Sequence, residues 1–250
     1  MTTTFITGAN KSLGLETARR LVETGHTVLI GARDPERGRA AAGSLGARFV
    51  QIDVTDDASA AAGSLGARFV QIDVTDDASV EAAAADVAAH EGMIDVLVNN
   101  AGVLGRVGPV EEYTAADVSA VLDVNVIGIV RVTHAFLPLL RKSSNPVIVN
   151  VSSGMGSFGL TQDPARIESQ YALPLYSASK AAVTMLTAQY AREMKDVKVN
   201  AADPGQTATD FTGGLGHSIA AGAESIVTLA TIGPDGPTGQ FIDRFGNLPW

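Results

Sequence analysis

Tyr176 and Lys180 stand one helical turn apart in Tyr176-Ser177-Ala178-Ser179-Lys180, and the apolar positions Val183, Leu186, Tyr190 and Met194 follow at three- and four-residue steps. That period predicts an amphipathic helix, on which residues four apart share a face with Cβ atoms about 5–6 Å apart. An ammonium at that distance favours phenolate, so Lys180 is expected to lower the tyrosine from its ordinary value of ~10. A tyrosine so tuned gives or takes a proton at a carbonyl or alcohol oxygen. The same spacing also arises wherever a half-buried ring sits beside a solvated charge. The chemistry therefore needs other residues to support it.

The elements that must position this pair alternate along the chain. A strand over 3–7 enters Gly8-Ala9-Asn10-Lys11-Ser12-Leu13-Gly14 and then a helix over 15–24. A glycine-rich turn between strand and helix lets backbone N–H groups and the helix N-terminus face a pyrophosphate. The second strand, 26–32, ends at Arg33-Asp34-Pro35-Glu36. At that place an acid signals NAD and an arginine NADP. Asp before Pro is the mark of a helix cap with proline in the first turn. Asp34 is therefore assigned to capping, and Arg33 to a 2′-phosphate with Lys11 as a second cation nearby.

Further on, a helix over 80–91 precedes a strand over 94–98, which ends at Asn99-Asn100-Ala101-Gly102. One long helix is expected from Thr114 to about Leu140, with Asn125 in its middle. Asparagine there implies a buried hydrogen bond or a bend. The strand over 146–151 delivers Ser152 and Ser153 at its carboxyl end, where parallel sheets bind ligands. After the Tyr176 helix, a strand over 197–201 runs into Asp203-Pro204-Gly205. A helix over 219–231 and a short strand over 239–242 follow. The alternation predicts an α/β fold, a doubly wound, mostly parallel Rossmann-type sheet in three α/β/α layers. Residues 1–250 read as a single domain.

Composition suits that class. Hydrophobic residues make up 46% and aromatics 5% of 250 residues, enough for one sizeable core. A formal charge of −9 without basic runs argues against nucleic acid and anionic membranes as partners. The absence of cysteine removes disulfides and thiolate zinc sites, and the four histidines show no metal spacing. The start carries no secretory pattern, and no stretch is expected to approach the ~18–20 apolar residues of a membrane span. The chain reads as a soluble cytoplasmic protein.

One oddity interrupts the order: residues 40–59 and 60–79 are the same twenty letters. Two copies do not make a solenoid, and identity at every position reads as a tandem duplication inside the domain. Each copy holds a helix end, a strand (49–54 or 69–74) and a capped helix start. The two strands compete for one slot beside the second strand, and the acid at the carboxyl end of the winner is Asp53 or Asp73. The second copy runs straight into the following helix, whereas the first would push twenty residues out on the ligand side. Asp73 and Val74 are therefore expected at the carboxyl end of the third strand. The first copy is expected to add a short helix over 58–65.

With Thr7-Gly8…Gly14, Asn99-Asn100-Ala101-Gly102, Asn125, Ser153 and Tyr176…Lys180 in order, the chain resembles the short-chain dehydrogenase/reductase family over nearly its whole length. Gly222-Ala223-Glu224, the run 233–241 and Pro249-Trp250 look like the end of its carbonyl reductases. The resemblance implies an NADP(H)-dependent reductase of a small, apolar ketone, aldehyde or quinone. Tyr176 would be the general acid, and Lys180 would lower its pKa and hold the nicotinamide ribose. Ser153 would bond the substrate oxygen, and Asn125 would order a water that reloads the proton. Asp73 and Val74 would meet the adenine, and Asn100, Ala101 and Gly102 would line the adenosine ribose; Pro204, Gly205, Thr207 and Thr209 would hold the carboxamide and pyrophosphate. The sequence departs from the family at Ser12, where glycine or alanine is usual, in the long Ser153–Tyr176 interval (excess at 160–174), and in the repeated block. Many relatives pair through the helices of Asn125 and Tyr176; here the insertion before Tyr176 makes a monomer the expected state and a dimer the alternative. The competing readings are an NAD-linked alcohol dehydrogenase, which Arg33 disfavours, and a non-catalytic NADP sensor, which would have no need of the proton-transfer set.

Overall fold

The computed structural model describes residues 1–45 and 67–250. Strand β1 (Thr3–Thr7) leads into α1 (Ser12–Glu23), and β2 (Thr27–Ala32) into α2 (Pro35–Ser44). Asp34 accepts hydrogen bonds from the Glu36 and Arg37 N–H groups, so it is the cap that the Asp-Pro pair signals. Next come β3 (Ala67–Gln71) and α3 (Asp77–His90), the latter capped by Asp76. β3 pairs in parallel with β2, Phe69 opposite Ile30. The slot is thus filled by the second copy of the repeat, and Asp73 stands just past its carboxyl end. The strand over 49–54, the helix over 58–65 and Asp53 lie outside the described residues.

After β4 (Val96–Asn99), the helix expected over 114–140 divides into α4 (Ala115–Leu122) and α5 (Gly128–Leu140). The residues between, Asp123–Ile127, form one wider π turn around Asn125. The whole run, Ala115–Leu140, is 26 residues long with a mean hydropathy of 1.6 in its most apolar window. That corrects the expectation that no stretch approaches a membrane span in length and apolarity. Here the run serves the core: Val132, Phe136 and Leu140 are fully buried, and Arg131 pairs with Asp77 and Asp123 at 2.5 and 2.7 Å.

The chain then forms β5 (Val147–Val151), α6 (Phe158–Gln162), α7 (Pro174–Glu193), β6 (Lys198–Ala202), α8 (Ile219–Ala230), β7 (Phe241–Asp243) and β8 (Gly246–Asn247). The sheet runs β3-β2-β1-β4-β5-β6-β7-β8, parallel except for β8. Side chains alternate across it: Phe5 and Leu29 join Val87, Val132 and Phe136 under α3, α5 and α7, while Ile6 and Ile30 join Leu21, Ala42 and Ile226 under α1, α2 and α8. Helices covering both faces explain why the strands are nearly all apolar. Strand order reverses between β1 and β4, and their carboxyl ends border the crevice where such sheets bind ligands.

Candidate active site

Gly8 turns the chain after β1 with φ of 65°, and a Cβ there would stand 3.0 Å from the Ala101 Cα. At Gly14 a Cβ would meet the Asn100 amide at 2.6 Å and the Gly8 carbonyl at 2.7 Å. Glycine at both places lets the first turn of α1 lie against the end of β4. Ser12 sits at φ of 49°, in the region glycine prefers, so its departure from the family pattern strains the backbone locally. Asp34, Asp76, Thr114 and Ser218 cap α2, α3, α4 and α8, but α1, which follows Asn10 and Lys11, has no side-chain cap and no acid in its first turn. The first-turn N–H groups, those of Ser12, Leu13 and Gly14 among them, are thereby left for an anion.

Thr7, which opens the Gly8–Gly14 motif but was given no role there, rivets this turn. Its hydroxyl accepts from the N–H groups of Asn100 and Ala101, both at 3.0 Å. The Asn100 amide donates to the Thr7 and Gly8 carbonyls at 2.9 and 3.2 Å, so this side chain ties β4 to β1. Gly102 lies beyond: a Cβ there would be 3.4 Å from Asn125 Oδ1 and 3.8 Å from Lys180 Nζ.

At the far end of the crevice, Arg33 is exposed after β2. Burial alone would raise the nearby Asp73 carboxyl. Hydrogen bonds from the Thr75 N–H and hydroxyl at 3.0 and 2.7 Å, with Arg33 and Arg131 close by, hold it below the ordinary carboxylate value. Val74 is buried against Gly128, so its side chain belongs to the core. The Lys11 ammonium, expected as a second cation near Arg33, pairs here with Asp210 at 2.8 Å. Both partners are exposed, and such a surface pair is easily broken.

Tyr176 occupies the first turn of α7 and Lys180 the next, its Nζ 5.6 Å from the ring centroid. Lys180 is buried, with 5% exposed, and donates to the Val151 carbonyl at 2.7 Å. Burial lowers it to about 8, against an upward pull from Asp203. Burial also pushes the Tyr176 phenol up; the Ser153 hydroxyl pulls it down, and Asp203 adds to the rise. Burial thus works against the lowering expected from Lys180. The Phe211 ring packs edge-on against Tyr176, with centroids 5.4 Å apart.

Ser153 follows β5, and its hydroxyl accepts from the Met155 N–H at 3.2 Å. Asn125, in the π turn, makes the buried bonds that an asparagine in mid-helix implies. Its Oδ1 accepts from the Val103 N–H at 2.8 Å, and its amide donates to the Val103 carbonyl and the Ser179 hydroxyl, both at 2.9 Å. Ser179 in turn donates to the Tyr176 carbonyl at 2.7 Å. The Asn125 side chain is therefore a clamp on the Tyr176 turn, and Ser179, inside the Tyr-Ser-Ala-Ser-Lys run, is the partner that motif reading passed over.

Past β6, Gly205 has φ of 66° and lies against His217. Pro204 and Gly205 offer their carbonyls to the Thr207 hydroxyl, which is buried against Gly222. The Thr209 hydroxyl accepts from the Phe211 N–H at 3.2 Å. Both hydroxyls thus shape their own loop before they could hold a ligand.

Residues 2–219 match the short chain dehydrogenase family. The chain belongs to the short-chain dehydrogenases/reductases. It is an oxidoreductase of that family on a single-domain Rossmann-type fold, and reductases are among its relatives. It is 36% identical to the short-chain dehydrogenase anuI of Penicillium roqueforti over 98% of this chain and 94% of that protein. The NADPH-dependent pterin aldehyde reductase of Arabidopsis thaliana is 31% identical over 84% of this chain and 76% of its own. Among solved structures, the NADPH-bound carbonyl reductase from chicken fatty liver superposes with a TM-score of 0.82 at 25% identity, covering 99% of this chain and 98% of that one.

Proposed function

We propose that the protein is an NADPH-dependent carbonyl reductase acting on a small, apolar ketone, aldehyde or quinone. The observation that carries this reading is the convergence of Tyr176, Ser153 and Lys180 at the carboxyl end of β5, where the Ser153 hydroxyl bonds the phenol and Lys180 bonds the Val151 carbonyl. A phenol and a hydroxyl meeting there can both reach one carbonyl oxygen. The uncapped α1 terminus and the Gly8–Gly14 cradle fit a pyrophosphate, Arg33 fits a 2′-phosphate, and Asp73 stands at the adenine end. NADPH in the names of the Arabidopsis and chicken proteins supports the same cofactor.

When bound, the nicotinamide supplies hydride to the carbonyl carbon. The protein does the rest. Ser153 donates a hydrogen bond to the carbonyl oxygen, Tyr176 delivers its phenolic proton there, and Lys180 balances the charge left on the ring. Asn125, through Ser179, fixes the turn that aims Tyr176. Phe211 beside Tyr176 offers an apolar wall to the substrate. The test is NADPH oxidation against a panel of quinones, aldehydes and ketones. Tyr176→Phe should lower turnover by ~10²–10⁴, the usual size of an acid–base contribution, while NADPH still binds. Near-normal turnover in that variant would refute the assignment.

A further inference from the structure

Arg131, on α5, gathers oxygens from three parts of the chain. Its Nη1 donates to the Val74 carbonyl at 3.3 Å and to Asp123 Oδ1 at 2.7 Å, and its Nε donates to Asp77 Oδ1 at 2.5 Å. Val74 follows β3, Asp77 opens α3 and Asp123 opens the π turn. The bond to Asp123 depends on that turn. Eight residues make about 2.2 turns of a regular helix, which would carry Arg131 off the Asp123 face. The wider turn takes up the excess.

The segment that Arg131 holds has its shape from within. The Asp73 N–H donates to the Ser79 hydroxyl at 2.9 Å, Thr75 donates twice to Asp73 Oδ1, and the Asp76 N–H donates to the Asp73 carbonyl at 3.2 Å. These bonds do not fix where the turn sits in the molecule. Among the described residues, Arg131 is the one side chain from outside 73–80 that hydrogen-bonds it. Packing supports the same contact. A Cβ on Gly128, three residues before Arg131, would stand 3.1 Å from Val74 Cγ2 and 3.3 Å from the Val74 carbonyl oxygen, so the glycine lets α5 lie on this residue. The π turn ahead of α5 is itself pinned, through Asn125, to Val103 and Ser179. Arg131 thus hangs the 73–76 turn from a fixed point.

We propose that Arg131 is a positioning residue for the adenine end of the cofactor site, which holds the Val74 carbonyl, and with it Asp73, in place without touching the cofactor. The inference rests on the assignment of Asp73 to the adenine end made above. Arginine suits the task because its planar fork serves several acceptors at once and keeps its charge at any pH the fold survives. Bonds from a charged donor are also the stronger ones. The Asp77 and Asp123 carboxylates offset that charge, so a cofactor phosphate gains little from it directly. Arg33 is different, being exposed and assigned to the 2′-phosphate. Loss of Arg131 should therefore be felt alike by NADPH and NADH.

Arg131→Met keeps an unbranched stem on α5 and removes all three bonds. It should weaken both cofactors by the same factor, about tenfold, with the change carried by KM for NADPH and turnover at saturating NADPH kept. Fragments locate the loss: AMP should bind more weakly by that factor, and reduced nicotinamide mononucleotide as it does to the parent. Arg131→Lys, which still donates to Val74 or Asp123, should recover part of the affinity. A loss confined to NADPH would mean that the charge acts on the 2′-phosphate. Equal losses for the two fragments, or lower turnover at saturation with affinity kept, would mean a merely structural role. Any of these overturns the proposal. The fragment titrations need no turnover, so the two readings separate. A chain that reduces none of the carbonyls, yet loses AMP affinity in Arg131→Met, keeps the positioning role and loses the reductase reading. Reduction by NADPH with AMP binding unmoved in Arg131→Met does the reverse, and a parent chain that binds neither AMP nor NADPH overturns both.

Discussion

Lys180 gives the site its positive charge at a cost to the fold. Its value falls from the ordinary 10.5 to about 8 on burial. Between those values the unfolded chain holds the proton and the folded one does not, so stability rises with pH across that window. Below about 8 the full penalty is present. Lys180→Met should therefore raise the melting temperature by several degrees at pH ~7, roughly 2–3 kcal/mol of relieved penalty, and by much less at pH ~10, even as it removes reductase activity. Calorimetry showing no gain at neutral pH would contradict the burial argument. At the other end of the crevice, Arg33→Ala should weaken NADPH ~10-fold, about 1.4 kcal/mol, and leave NADH unaffected. Equal losses for the two cofactors would remove the 2′-phosphate assignment. Tyr176, Lys180 and Ser153 were legible because their spacing and place at strand or helix ends carry the signal. Their supports were not. Thr7 reaches Asn100, Asn125 reaches Val103 and Ser179, and Asp203 reaches Gly154 across dozens of residues, and no local pattern encodes such pairs.

The strands other than β3, which ends at Gln71 instead of Val74, were legible to within a residue or two, because runs such as Val147–Val151 are wholly apolar or amide-bearing and end at glycine, serine or asparagine. What escaped was short or discontinuous. α6 is five residues long inside a segment punctuated by glycine, aspartate and proline, and β8 is a pair of residues, Gly246–Asn247. The π turn at Asn125 escaped because its extra residue leaves the apolar period almost unbroken; only the misplaced asparagine signalled it. The third strand could not be chosen by its letters, since both copies share them. Connection decided it, for Ala67–Gln71 runs directly through Asp73 to the Asp76-capped α3. It follows that Asp73→Ala should weaken NADPH binding and Asp53→Ala should not. Isothermal titration of both variants checks this, and a loss confined to Asp53→Ala would overturn the pairing.

At the scale of the whole molecule, the parallel strands bring six of the named residues to their common carboxyl end. The carboxyl ends of β1, β2, β3, β4, β5 and β6 carry Gly8, Arg33, Asp73, Asn100, Ser153 and Asp203 in turn. α2 ends and β3 begins at the opposite edge, as the parallel topology requires. Residues 46–66, between Leu45 and Ala67, join these two ends. Alternating strand and helix signals were enough to foresee this architecture. The face on which α6 and the 166–170 turn sit was not foreseeable, because it depends on the Arg166–Glu168 pair and on contacts around Gly154.

That β2 pairs with the second of two segments identical in sequence has a consequence for the time course of folding. A chain collapsing around β2 meets residues 47–51 before 67–71, and the nearer segment closes a shorter loop. Local pairing forms sooner than distant pairing, so part of the population should first dock the wrong copy. Those molecules then carry twenty extra residues between the strand and α3, on the ligand side, and must release the strand before reaching the native arrangement. Refolding should show a fast phase and a slower one that reports this exchange. Removing residues 40–59 or 60–79 yields the same shortened chain, because the copies are identical, and in it the slow phase should vanish. Stopped-flow fluorescence of Trp250 compares the two chains. A slow phase of equal amplitude in both would show that the repeat plays no part in how the sheet assembles.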